Sequence, residues 1–368
     1  MPMKIPLYKP YISQREIKAV VNVLKSGKLS KGQEVEYFER EFADYVGKKY
    51  AVAVNSGTSG LHLLVRALNW QKGDEIITTP FSFIASSNAL LFEDVTPVFV
   101  DIDPKTLNID ANQIEAKITP RTKGLLLVHI FGLPVDYQKI KRLGKKYKLP
   151  IIEDACEALA RPSHKFRVND LGVATVYGLY ENKQITSGGE GGMIVTDSKI
   201  IAQKCRSMRD QGRSFLKNWK DNVVLGFNFR MTEMQAAFGR QQLKVINKIL
   251  AQREKIAEKY SALFAGIDGI ITPHQLTKNQ RSWFAYFIIL KDKATRDQVC
   301  RDLSSRGIAS STNYFPPIYT FPMYAAVNPN CPAADDISDR ILTLPLFYGM
   351  TNAEIKLVIN TIINSLKK

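Results

Sequence analysis

Short, continuously apolar runs recur along this chain, each bounded by turn-forming residues and most followed by a segment of helical spacing. Tyr50 to Val54, Glu75 to Thr79, Pro97 to Val100, Gly124 to Val128, Pro150 to Asp154, Val173 to Leu179 and Met193 to Thr196 read as strands. Runs without polar alternation belong to strands buried on both faces, and intervening helices carry the chain from one parallel strand to the next. The pattern predicts an α/β fold with a mostly parallel sheet covered by helices.

The helices announce their own ends. Ser13-Gln14-Arg15-Glu16 is a capping box, followed by Ile17, Val20, Val21 and Leu24 at helical spacing, and Ser26-Gly27 closes the segment. Helices also read around Val35, Phe38 and Phe42, over Thr58 to Leu68, and over Asp136 to Lys146. After Met231 the pattern changes. Met231 to Phe264 reads as one long helix with Gly239 as its weak point, then Phe284 to Leu290 as a strand, Thr295 to Arg306 as a helix and Asn352 to Leu366 as a terminal helix. The 368 residues therefore divide into a large α/β domain, 1–250, with an N-terminal helical segment, and a smaller α+β domain, 251–368.

Composition narrows the function classes. The most membrane-like uncharged run, between Glu75 and Glu93, contains Pro80 and several Ser and Thr, so no membrane span is expected. The N-terminus lacks the apolar core of a signal peptide, and a cytoplasmic location is expected. Cys156, Cys205, Cys300 and Cys331 form no close pair and read as reduced thiols. His62, His164 and His274 show no ligand spacing and His129 reads as a satisfied histidine, so no metal is expected. The net charge of +16 suits an anionic partner, but the basic residues are scattered and accompany no nucleic-acid motif. A nucleotide-linked small molecule fits that charge, and nucleic acid is not expected as a partner.

Three segments carry chemistry. Asn55-Ser56-Gly57-Thr58-Ser59-Gly60 follows one strand and opens the next helix, where backbone N–H groups and the helix terminus favour a phosphate. Asp154 closes the apolar run Leu149-Pro150-Ile151-Ile152-Glu153-Asp154, at the strand edge where open α/β sheets place ligands. Lys183 precedes the glycine-rich run Gly188-Gly189-Glu190-Gly191-Gly192. Taken singly, these also fit a plain turn, a helix N-cap and a solvated lysine. Together they meet the needs of pyridoxal phosphate: a phosphate seat, a carboxylate for the pyridine nitrogen, and an amine for a Schiff base.

With these blocks the chain resembles the DegT/DnrJ/EryC1/StrS family of sugar aminotransferases, fold type I pyridoxal phosphate enzymes. The likeness runs through Leu24-Lys25-Ser26-Gly27, Pro97-Val98-Phe99-Val100-Asp101, Glu153-Asp154-Ala155-Cys156-Glu157-Ala158-Leu159, Asn182-Lys183-Gln184-Ile185-Thr186, Gly226-Phe227-Asn228-Phe229-Arg230 and Tyr314-Phe315-Pro316-Pro317. The resemblance implies that Lys183 forms the Schiff base and then shuttles a proton. It implies that Asp154 keeps the pyridine nitrogen protonated, that Glu157 lies near the cofactor's O3′, and that Gly57, Thr58 and Ser59 hold the phosphate. Phe83 would stack on the ring. Asn228 would reach the phosphate of the neighbouring subunit's cofactor, making the active unit a homodimer, and Tyr314 would face the sugar.

The implied activity is a ping-pong transfer from an amino acid, L-glutamate, through the pyridoxamine phosphate form to a nucleotide-linked keto-sugar, at C4 on the pattern around Glu157. The products of such enzymes feed polysaccharide, lipopolysaccharide, glycan or antibiotic synthesis. A sugar dehydratase of the family would carry histidine in place of Lys183, and a non-catalytic protein could keep the fold. The chain departs from the family pattern in three places. Gly178 stands where many members have a phosphate-bonding serine, which leaves that contact to backbone or water. Glu181 stands where proline is common, and the glycine run after Lys183 is one residue longer.

Overall fold

A computed structural model describes residues 4–160, 168–214, 221–274, 280–312 and 316–368. In chain order its elements are α1 (Gln14–Ser26), α2 (Gln33–Val46), β1 (Tyr50–Val54), α3 (Gly57–Ala67), β2 (Glu75–Thr78), α4 (Ala85–Leu91) and β3 (Thr96–Phe99). There follow β4 (Thr122–Val128), α5 (Tyr137–Tyr147), β5 (Ile151–Asp154), β6 (Ala174–Gly178), β7 (Gly192–Thr196), α6 (Lys199–Arg209) and α7 (Glu233–Phe264). The last are β8 (Ile270–Ile271), β9 (Tyr286–Leu290), α8 (Lys293–Ser305), α9 (Pro332–Arg340), β10 (Ile341–Leu344) and α10 (Asn352–Leu366).

The capping box read at Ser13 and the stop read at Gly27 act where they were expected. Ser13 and Glu16 close a reciprocal box at the start of α1, and Gly27 ends that helix in the left-handed region with φ 68°. Thr232 with Gln235 and Thr351 with Glu354 form the same box at the starts of α7 and α10.

A seven-stranded sheet runs β1-β7-β6-β5-β4-β2-β3. All its pairings are parallel except those of β7, which lies antiparallel between β1 and β6. Alternate side chains of each strand enter different cores. Val52, Val54, Leu126, Val128, Ile152, Val176 and Ile194 pack on one face with Leu61 and Leu64 of α3. Ala51, Ala53, Tyr177, Met193 and Val195 pack on the other with Phe38 and Phe42 of α2. Toward the β2 and β3 edge that second face is covered by Ile140 and Leu143 of α5, against Leu125, Leu127 and Ile151. Each fully buried leucine contributes about 1.5–3 kcal/mol relative to exposure, so both faces must be covered for the sheet to persist.

An antiparallel sheet, β10-β9-β8, forms the second lobe with α8 and α10. Helix α7 joins the two cores. Its Ile246 and Ile249 pack with Phe38 and Tyr177, while its Ile256, Tyr260 and Phe264 pack with Tyr286 and Leu342. The N-terminal segment returns to this lobe: Ile5 packs in its core, and Leu7 accepts the Leu346 N–H at 3.0 Å. Among the described residues no helix is long and apolar enough to cross a membrane.

Candidate active site

The C-terminal ends of β1, β2, β5 and β6 open into one cavity of about 810 Å³, closed from the second lobe by Phe284, Ser311 and Thr312. This is the edge at which open α/β sheets bind ligands.

One end is built by the turn from β1 into α3. Ser56 caps the helix: its Oγ accepts the Ser59 N–H at 3.0 Å and lies 2.9 Å from the Ser59 hydroxyl. The N–H groups of Gly57 and Thr58 belong to the helix start, where no intrahelical acceptor exists, and both residues line the cavity. The helix terminus adds partial positive charge there. Gly192 keeps the turn close to the sheet, because a Cβ on it would lie 2.6 Å from the Ser56 carbonyl carbon.

The opposite pole is Asp154, 4% exposed at the end of β5. Its Oδ2 accepts the Ser86 hydroxyl at 2.7 Å, and its Oδ1 accepts the Cys156 N–H at 3.0 Å. Two donors fix the carboxylate plane while leaving it acceptor capacity toward the cavity. Glu157 follows one turn later. Its Oε2 accepts the Phe131 N–H at 2.9 Å, and its carbonyl accepts Gln184 Nε2 and, at 3.2 Å, the Ser282 hydroxyl.

Lys183 reaches in from the loop after β6. Its backbone N–H donates to the Tyr180 carbonyl at 3.1 Å, and the Ser187 N–H donates back to Leu179 at 3.1 Å, so the loop is closed on itself. Its Nζ stands 3.8 Å from Glu157 Oε1 and 4.3 Å from the centre of the Phe284 ring. Burial, followed by the nearby Glu181 charge, raises Glu190 at the cavity wall above the ordinary carboxylate range. Asn182 also lines the cavity, and its buried Oδ1 has no hydrogen-bond partner.

The residues present fit pyridoxal phosphate. A helix start suits its phosphate, a fixed carboxylate suits its ring nitrogen, an accessible amine suits its aldehyde, and Asn182 offers an unused acceptor. Of the residues singled out in the sequence, Gly57, Thr58, Phe83, Asp154, Glu157 and Lys183 all line this cavity. Phe83 is 65% exposed at its mouth. Ser59 does not line it; it is 8% exposed and engaged with Ser56. Asn228 lies exposed outside the cavity of its own chain, next to Phe229, whose carbonyl accepts the Asn55 N–H at 2.9 Å. Tyr314 lies outside the described residues.

Sequence reasoning missed Ser86, Asn182 and Phe284. Ser86 had no distinguishing signal, being one of several polar residues there with Ser82, Ser87 and Asn88. Phe284 comes from the second lobe and had none. His129 takes no part: it is fully buried, bonded through Nε2 to Glu153 at 3.0 Å and accepting the Val135 N–H on Nδ1 at 3.2 Å. Among the described residues no cluster of His, Cys, Asp and Glu could hold a metal.

The DegT/DnrJ/EryC1/StrS aminotransferase family matches this chain over residues 10–363. A GDP-perosamine synthase of Caulobacter vibrioides is 38% identical over 339 residues, covering 90% of this chain and 89% of that protein. Helicobacter pylori PseC, an aminotransferase of pseudoaminic acid biosynthesis, superposes with a TM-score of 0.92 at 28% identity, over 99% of both chains. NtdA of Bacillus subtilis, solved with bound cofactor PMP, superposes with a TM-score of 0.90 at 27% identity, over 97% of this chain and 83% of that one.

Proposed function

The chain belongs to the DegT/DnrJ/EryC1/StrS aminotransferase family, and from that premise we propose that it carries an amino group from L-glutamate to C4 of a GDP-linked keto-sugar. It is a pyridoxal phosphate-dependent sugar aminotransferase of the fold type I class. The donor, the nucleotide, the sugar carbon and the roles of individual residues are our reading. The observation that carries it is that Lys183 Nζ, the Asp154 carboxylate and the start of α3 face one cavity. The GDP-perosamine synthase relative supports the nucleotide, and the pattern around Glu157 supports C4.

When bound, pyridoxal phosphate supplies an aldehyde to capture amines and a ring that withdraws electrons from the carbon bearing them. Gly57 and Thr58 hold the phosphate through backbone N–H groups, with Ser59 keeping the helix start in shape. Asp154, oriented by Ser86 and Cys156, holds the proton on the ring nitrogen. Lys183 anchors the cofactor through its ε-amine. With the cofactor bound, Lys183 Nζ would move the proton between the donor's α-carbon and the cofactor, and Glu157 would hold that amine in reach. Phe83 covers one face of the ring and limits water. The two lobes meet on α7 near residue 250, which we take as the domain boundary, and the second lobe's wall faces the sugar; a sugar contact for Tyr314 rests on the family pattern alone.

The partner subunit completes the site in this reading. Asn228 is exposed and sits beside Val223, Val224 and Leu225, which are 57%, 48% and 73% exposed. Clustered exposed apolar residues suit an interface. A homodimer would place Asn228 at the phosphate of the neighbouring site.

The decisive experiment is an absorbance spectrum of the purified protein with pyridoxal phosphate, before and after L-glutamate, beside Lys183→Ala. A yellow band that fades with glutamate and is absent in the variant supports the reading, and a panel of nucleotide-linked keto-sugars then identifies the acceptor. A yellow band that no amino donor changes would favour a non-catalytic protein. The retained Lys183 speaks against a dehydratase.

A further inference from the structure

Cys156 sits where three elements of the cavity close on one another. It follows the end of β5, and its backbone N–H holds Asp154 Oδ1 at 3.0 Å. Its sulfur occupies the space between the start of α3 and the end of β6. A Cβ on Gly57 would lie 2.8 Å from Sγ, and a Cβ on Gly178 would lie 3.1 Å from Cys156 Cβ and 3.3 Å from Sγ. Both neighbours lack side chains, and the sulfur fills the volume between them, as close packing demands.

The thiol is half-buried and Cys156 lines the cavity. The Val176 carbonyl lies 3.9 Å from its sulfur, a long contact even for sulfur, and the Asp154 side chain is a second acceptor beside it. Burial, and then the Asp154 charge, push the thiol well above its usual range, so it stays protonated and is a donor rather than a nucleophile. Gly57 opens α3, whose first N–H groups collect an anion. A thiol packed against Gly57 therefore stands beside the anion seat.

We propose that Cys156 is a cofactor-binding residue of this chain, its S–H donating to the phosphate at the start of α3 from the volume that Gly178 leaves open. The inference rests on the pyridoxal phosphate reading above.

The test measures the affinity of pyridoxamine phosphate and of phosphate-free pyridoxamine by fluorescence titration. Neither ligand can bond covalently to Lys183, so the titration reads the non-covalent hold. Cys156→Ala should weaken pyridoxamine phosphate roughly three- to tenfold, the effect of one modest hydrogen bond, and leave pyridoxamine unchanged. Cys156→Ser, nearly isosteric and still a donor, should keep wild-type affinity. Wild-type affinity in Cys156→Ala would overturn the proposal and leave the cofactor reading standing. A wild-type protein that fails to bind pyridoxamine phosphate would overturn both.

Discussion

The ε-amine of Lys183 stands 3.8 Å from a carboxylate oxygen of Glu157. The other oxygen of Glu157 is tied to the Phe131 N–H, so the acid cannot follow the lysine if the loop moves. It marks a fixed place for an amine in the cavity. Glu157→Gln keeps the shape and removes the charge. The half-reaction with L-glutamate, followed by stopped-flow absorbance, should slow roughly ten- to a hundredfold, the worth of one charge-assisted contact. An unchanged rate would remove Glu157 from the chemistry.

A site shared between subunits can be tested by mixing. Lys183→Ala lacks the amine but retains Asn228, and Asn228→Ala lacks the amide but retains Lys183. Co-refolded, the two variants should form hetero-dimers with one complete site, and activity should exceed that of either variant alone. Mixtures no better than their components would show that each chain builds its site unaided.

Tyr8 ties the N-terminal segment to the lysine loop. Its hydroxyl donates to Glu181 Oε1 at 2.7 Å, and that hydrogen bond is the main reason Tyr8 is pushed up to about 12 from an ordinary 10.0. A folded-state value raised above the unfolded one means stability fully present below the unfolded value and lost as pH rises through the folded value. The melting temperature of the wild type should exceed that of Tyr8→Phe by a constant margin below about pH 10 and lose that margin toward pH 12. A margin that widens with alkali would contradict this assignment.

Gly239 lies in the second turn of α7, inside the helix, where propensity disfavours it by about 1 kcal/mol against alanine. The reason is Phe38: a Cβ on Gly239 would lie 2.6 Å from the edge of its ring. Gly239→Ala should therefore destabilise the protein by about 1–3 kcal/mol despite the better helix former. Denaturant unfolding would measure it, and pairing it with Phe38→Leu should recover part of the loss. A stabilised Gly239→Ala would mean that the packing of α2 on α7 is looser than this contact requires.

Much of the architecture was legible because its causes are local. The capping box at Ser13 and the left-handed Gly27 bound α1 within residues of one another, and β1 coincides with the run Tyr50–Val54. Helices α6 and α9 were not read. Ser198 does cap α6, but the polar Lys199–Arg209 surface dilutes its apolar spacing. Helix α9 passes into β10 at Ile341 with no breaker between them. Strand order was not legible either. Strands buried on both faces have no polar side to set their neighbours, so nothing in Gly192–Thr196 announces that β7 lies antiparallel between β1 and β6.

The chain's residue types, read along its length, determined the α/β class and pointed to the turn at Gly57, to Asp154 and to Lys183 as candidates for holding a cofactor. These follow from spacing, capping and side-chain chemistry, which act over a few residues. Only the tertiary structure decided that Ser86 orients Asp154, that Phe284 from the second lobe underlies Lys183, and that the Cys156 sulfur fills the space between Gly57 and Gly178. Those contacts join residues distant in sequence, and their geometry exists only once the strand ends are paired and the two lobes have closed on α7.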